Sequence, residues 1–116
     1  MRTLPEVMEA LNELDKSLEV LQRELPPVIR DYEADHESKD VAIARVMHTH
    51  SGPEWKARAA AYDECARVIL RAAKSKGRVE AGKTLLKITL GRLDGLRSEL
   101  SALKSEMEMV RVGHGT

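Results

Sequence analysis

A chain of 116 residues with no Phe, 3% aromatic and 33% charged residues is bounded at one domain and excludes a thick aromatic core or a stacked β-sheet. A formal net charge of zero excludes a uniformly basic or acidic surface, yet the charge is divided. Residues 1–53 hold eleven acids and six bases (net −5), while residues 54–116 hold eight acids and thirteen bases (net +5).

The single cysteine, Cys65, has no partner for an intramolecular disulfide and reads as a small buried hydrophobe in a reducing compartment. The first residues lack the apolar run of a signal peptide, and no window approaches ~18 apolar residues. The expectation is a cytoplasmic protein with no membrane partner.

Thr3 and Glu6 have the spacing of a capping box at a helix start. Leu4, Val7, Leu11, Leu14, Leu18, Leu21 and Leu25 follow at alternating intervals of three and four, the seam of a coiled coil, and predict helix 1 over residues 4–25. Pro26-Pro27 removes two backbone donors and predicts a kink or short break. Val28, Ile29, Tyr32, His36, Ile43, Val46 and Met47 predict helix 2 over residues 28–49, with the polar run Asp35–Asp40 as its weakest packing.

His48 to Glu54, containing Ser51-Gly52-Pro53, is the strongest turn signal, and Ser51 with Glu54 has the form of a second capping box. A long helix 3 is predicted over residues 54–110, roughly 80–85 Å at ~1.5 Å per residue. Its expected seam runs through Trp55, Ala59, Tyr62, Ala66, Ile69 and Ala73, then Leu86, Leu93, Leu96, Leu100, Leu103, Met107 and Val110, shifting by one position between Ala73 and Val79. The glycines Gly77, Gly82, Gly91 and Gly95 each weaken a helix by about 1 kcal/mol relative to alanine, so a break near 75–77 is the alternative to a continuous helix. The tail from Gly113 is expected to fray.

The expected fold is an all-α antiparallel helical hairpin, or coiled coil, with a Pro-kinked first arm and one long second helix. The turn predicts Leu25 opposite roughly Arg78 and Leu4 opposite roughly Glu99. A single hairpin would leave Val46, Val68, Leu70, Leu85, Ile88 and Leu90 partly exposed, so self-association into a homodimer or larger helical bundle is expected.

Residues Gly77 to Thr84 match G-x-x-x-x-G-K-[ST], in which glycine N–H groups cradle phosphates, Lys83 would meet the outer phosphates and Thr84 a magnesium ion. That chemistry needs a preceding strand, whereas residues 66–74 have helical periodicity; the match reads as coincidence inside a helix, with a nucleotide binder as the remote alternative. His48 and His50 beside Glu54 invite a metal reading, but two residues apart on a helix they point to different faces, and a solvated turn is the plainer reading. No catalytic, cofactor-binding or metal-binding residue is assigned.

Arg67, Arg71, Lys74 and Arg78 recur at intervals of four, three and four as one basic stripe, and Lys76, Lys83, Lys87 and Arg92 extend the positive region. Over residues 67–92 there are eight bases and one acid, Glu80. Such a stripe suits a phosphate backbone, with DNA as the implied partner. Alternatively, Glu19, Glu24, Asp31, Glu33 and Asp35 of the opposing arm neutralise it.

Tyr32-Glu33-Ala34, a short turn, Lys56-Ala57-Arg58-Ala59, and Leu96-Arg97-Ser98 with Leu100 and Leu103 resemble a group of small coiled-coil proteins encoded by phages of actinobacteria, over residues 25–106. The resemblance implies an uninterrupted second helix and an accessory protein made alongside phage replication or recombination proteins, in the host cytoplasm. No catalytic residue carries over. The leading expectation is a non-enzymatic oligomeric interaction protein that binds another protein through helical faces; a nucleic-acid-binding accessory protein is the alternative.

Overall fold

In a computed structural model the chain is described over residues 2–114. It is an all-α helical hairpin. Among the described residues there are three helices and no strand: α1 (Leu4–Thr49), α2 (Glu54–Glu64) and α3 (Ala66–His114). Two compact units are formed, one from the chain up to Gln22 together with Thr84 onward, the other from Arg23–Lys83.

At the start of α1 the Glu6 N–H donates to Thr3 Oγ1 at 3.4 Å, while the Thr3 hydroxyl donates to Glu6 Oε1 at 3.0 Å. The box is half formed: the threonine caps the helix, and the glutamate fixes the threonine rather than a backbone N–H. The leucine seam is placed as expected, with Val7 fully buried and Leu4, Leu11, Leu14, Leu18, Leu21 and Leu25 half-buried.

The separation of helix 1 from helix 2 is overturned, because α1 runs through Pro26-Pro27. The carbonyls that lose their donors belong to Gln22 and Arg23, and these residues and both prolines are exposed, so water can take the freed lone pairs. Beyond the prolines the three–four alternation continues through Val28, Tyr32, Asp35, Lys39, Ala42 and Val46, all half-buried. Asp35 thus takes the seam position expected for His36, which is exposed and points along the helix, its Nε2 3.4 Å from Asp40 Oδ2.

The second arm departs from expectation in three places. The proposed Ser51–Glu54 box does not form: Pro53 caps α2 without a side-chain hydrogen bond, and Glu54 pairs with Arg58 at 2.9 Å. The break falls at Cys65, not near 75–77; its φ of −97° and ψ of 13° divide α2 from α3, although Cys65 N–H still bonds Ala61 O and Ile69 N–H bonds Cys65 O, both at 2.9 Å. Gly77 and Gly82 sit inside an uninterrupted α3, which continues to His114; Gly115 and Thr116 of the expected frayed tail lie outside the described residues.

The third departure is the seam itself. Trp55, Ala59, Tyr62, Ala66 and Ala73 are exposed, and Ile69 is half-buried. The buried positions are Ala57, Ala61, Cys65, Ala72, Ser75, Val79, Thr89, Leu93 and Leu96. With half-buried Val68, Gly82, Leu86, Leu100 and Leu103 they make a strict three–four alternation from Cys65 to Leu103. No shift occurs between Ala73 and Val79; the change of phase is at the Cys65 break. Thr89 satisfies its buried hydroxyl by donating to Leu85 O at 2.8 Å.

Two contacts fix the register of the Arg23–Lys83 unit. The Ser75 hydroxyl donates to the Asp35 carboxylate. At Gly82, a Cβ would stand 2.6 Å from Leu25 Cδ1, so glycine here makes room for the leucine. Leu25 therefore faces Gly82, one turn beyond Arg78. In the other unit Arg2, Leu14, Leu96 and Glu99 line one groove. Met107 is 56% exposed and does not belong to the buried seam.

Alanine at Gly77 or Gly91, where nothing lies within 4 Å of an added Cβ, should stabilise the fold by roughly 0.5–1 kcal/mol in urea unfolding, and alanine at Gly82 should give no such gain because Leu25 must move. Ser75→Ala strips the half-buried Asp35 carboxylate of its donor and should cost about 1–3 kcal/mol, whereas Asp35→Leu combined with Ser75→Ala should recover most of that loss in the same measurement.

Candidate functional site

The turn and its neighbours hold little chemistry. His48 is in the last turn of α1, and His50 Nε2 lies 4.0 Å from Glu64 Oε1. Among the described residues no three His, Cys, Asp or Glu side chains come together as metal ligands. Cys65 is buried in the seam.

The Gly77–Thr84 stretch lies wholly within α3, where backbone N–H groups are committed to the helical ladder rather than free to wrap a phosphate. Gly82 accommodates Leu25, and Lys83 and Thr84 face solvent. The geometry a phosphate-binding loop requires, a strand feeding a loop, is absent among the described residues.

Two surfaces in the Arg23–Lys83 unit carry more. One is the outward stripe of α2 and α3. Trp55, Ala59, Tyr62, Ala66 and Ala73 keep coiled-coil spacing with half-buried Ile69 but are exposed to solvent. Trp55 is 69% and Tyr62 52% exposed, and Lys56 Nζ lies 5.5 Å from the Trp55 ring centroid. The chain's only tryptophan and one of its two tyrosines are therefore spent on a solvent-facing stripe.

The other surface is a groove between α1 and α3. Arg67, Leu70, Arg71, Lys74, Ser75 and Arg78 line one side, and Asp31, Ala34 and Asp35 the other, around a volume of about 500 Å³. Helical intervals of four, three and four bring the four cations onto one edge. Among the described residues none of Arg67, Arg71, Lys74, Arg78, Lys83 or Lys87 lies within 4.0 Å of a carboxylate oxygen; the ion pairs of these helices are short-range ones such as Glu54–Arg58 and Asp94–Arg97. Asp35, the acid best placed to neutralise the stripe, is instead held by Ser75. Lys83 and Lys87 are exposed but lie outside this groove.

In the other unit Leu85, Ile88 and Leu90 are exposed at 51%, 47% and 45%, as the spacing predicted, together with Met8 and, toward the end of α3, Met107, Met109 and Val110. Val46 and Val68 are half-buried at seam positions and so partly exposed, as expected.

Reading the seam from its aromatic residues missed Asp35, Ser75 and Gly82. The available signal was the strict alternation traced backward from Leu86, which lands on Gly82, Val79, Ser75 and Ala72. No helix of the described residues is long and apolar enough to cross a membrane. No protein-family model, curated protein or solved structure matches this chain.

Proposed function

We propose that the protein is a non-enzymatic, oligomeric coiled-coil adaptor that binds helical partners, a second copy of itself among them, through faces its own hairpin leaves uncovered. The observation that carries this reading is the exposed stripe from Trp55 to Ala73. Five exposed positions, with half-buried Ile69 completing the coiled-coil spacing, are a seam without a helix against it, and such a seam wants a partner with an equally narrow stripe. Exposed aromatics near the centre of a patch are the residues that usually dominate an interface. Leu85, Ile88 and Leu90 add a second uncovered apolar region. The resemblance to phage coiled-coil proteins extends the proposal to a phage-encoded accessory protein of the host cytoplasm.

Light scattering over a range of protein concentration tests it, with Trp55 emission recorded on the same samples. Assembly should raise the mass to a dimer or more and shift the emission to the blue as the indole leaves water. Trp55→Ser with Tyr62→Ser should return the protein to a monomer while changing unfolding stability by less than about 0.5 kcal/mol per site, since both side chains are exposed. A wild-type monomer at every concentration, or a double variant that keeps the full mass, would sink the proposal.

A further inference from the structure

We infer that the groove lined by Arg67, Arg71, Lys74 and Arg78 is a binding site for the phosphate backbone of double-stranded nucleic acid, independent of base sequence. Arg67 and Arg78 are eleven residues apart on α3, about 16 Å along the helix. That length spans about five phosphates of one strand at ~3.4 Å each along the duplex axis. The four cations share one edge, and none is drawn off by a carboxylate within 4.0 Å among the described residues. Two acids stand across the groove: Asp35, whose carboxylate accepts the Ser75 hydroxyl, and Asp31, which is exposed at the rim. The edge that a phosphate strand would follow therefore carries four positive charges against two negative ones across the groove on α1.

The lining also says which nucleic acid. It contains no aromatic ring, and stacking on unpaired bases needs one, so single strands gain little here. Guanidinium and ammonium groups at one-turn intervals contact phosphates without reading base edges, which makes the binding indifferent to sequence. Because the whole chain is neutral, long-range attraction is weak and the affinity rests on these four local contacts. The alternative filling, the acidic first arm of a second copy, would use the same charges and is separated from nucleic acid by experiment.

The test is fluorescence anisotropy of a labelled 20-base-pair DNA duplex of arbitrary sequence, titrated with the full chain at several salt concentrations. Four phosphate contacts give a slope of log K against log salt near −3.6, at about −0.9 per contact. Arg71→Glu with Arg78→Glu should weaken low-salt binding at least tenfold and bring the slope to about −2, and Lys104→Glu, outside the groove, should leave both unchanged. Should the glutamate pair fail to fold by circular dichroism, the Arg71→Gln, Arg78→Gln pair is read in its place. Absence of binding at low salt, a pair that binds as wild type, or binding confined to the single-stranded 20-mer would overturn the site. So would a fall in the mass of the DNA-free protein on mutating the pair, with no change in duplex affinity, because the groove would then be an interface between copies.

Discussion

The register of the Arg23–Lys83 unit rests on a polar pair within an otherwise apolar seam. Asp35 and Ser75 sit at positions where a coiled coil ordinarily places leucine or valine, and they meet each other. Slide α3 by one heptad and Asp35 would face Val68 or Gly82, neither of which has a side-chain hydroxyl to donate. The same slide would set Leu25 against Ser75 or Thr89 instead of the space that Gly82 leaves for it. Neither contact is a large source of stability; a partly buried carboxylate bound to one hydroxyl roughly offsets its own desolvation. Their effect is selective, since they raise the energy of the competing registers that a plain heptad repeat would otherwise permit.

Small residues along α2 and the first half of α3 follow from the same constraint. Ala57, Ala61, Cys65, Ala72, Ser75 and Gly82 are the small residues on the packed face of the second arm, and at Gly82 it is Leu25 of α1 that supplies the bulk. Close approach with small side chains buries little apolar area per turn, so this unit has little left to cover its other faces. Several of the larger side chains of this unit's second arm are on the outside. Trp55, Tyr62 and Leu70 lie on the surface while Ala57, Ala61 and Ala72 occupy the core, an inversion of the usual order of burial.

This inversion is also why the first arm and the stretch from Leu86 to Leu103 were legible in the sequence and the stretch from Trp55 to Ala73 was not. In α1 the strongest apolar residues and the buried residues coincide: Leu4 through Leu25 give the seam without ambiguity. Even the prolines mislead only about continuity, since the three–four alternation passes through them into Val28 and Tyr32. From Trp55 to Ala73 the most hydrophobic spacing and the buried spacing are different stripes, and from Leu86 to Leu103 they coincide. Between Tyr62 and Ala73 the two are offset by one residue, about 100° around a helix of 3.6 residues per turn. The aromatic stripe rotates the predicted helix by that angle over this stretch. The hairpin, its turn and the basic stripe survive such a rotation, because they depend on composition and local spacing.

The letters of the phosphate-loop pattern can be accounted for by packing and solvation, with no nucleotide invoked. Gly82 is needed because Leu25 Cδ1 occupies the space a Cβ would take. The following Lys83 and Thr84 are exposed positions of a helix, where lysine is a favourable former and threonine is tolerated. Val79 and Gly82 are seam positions, which leaves Arg78, Glu80 and Ala81 as solvent-facing residues of one turn. Of the pattern's fixed letters only Gly77 lacks a packing reason, with nothing within 4 Å of the Cβ it omits. A motif drawn from loops has been reproduced by a helix whose glycine answers to a neighbouring leucine.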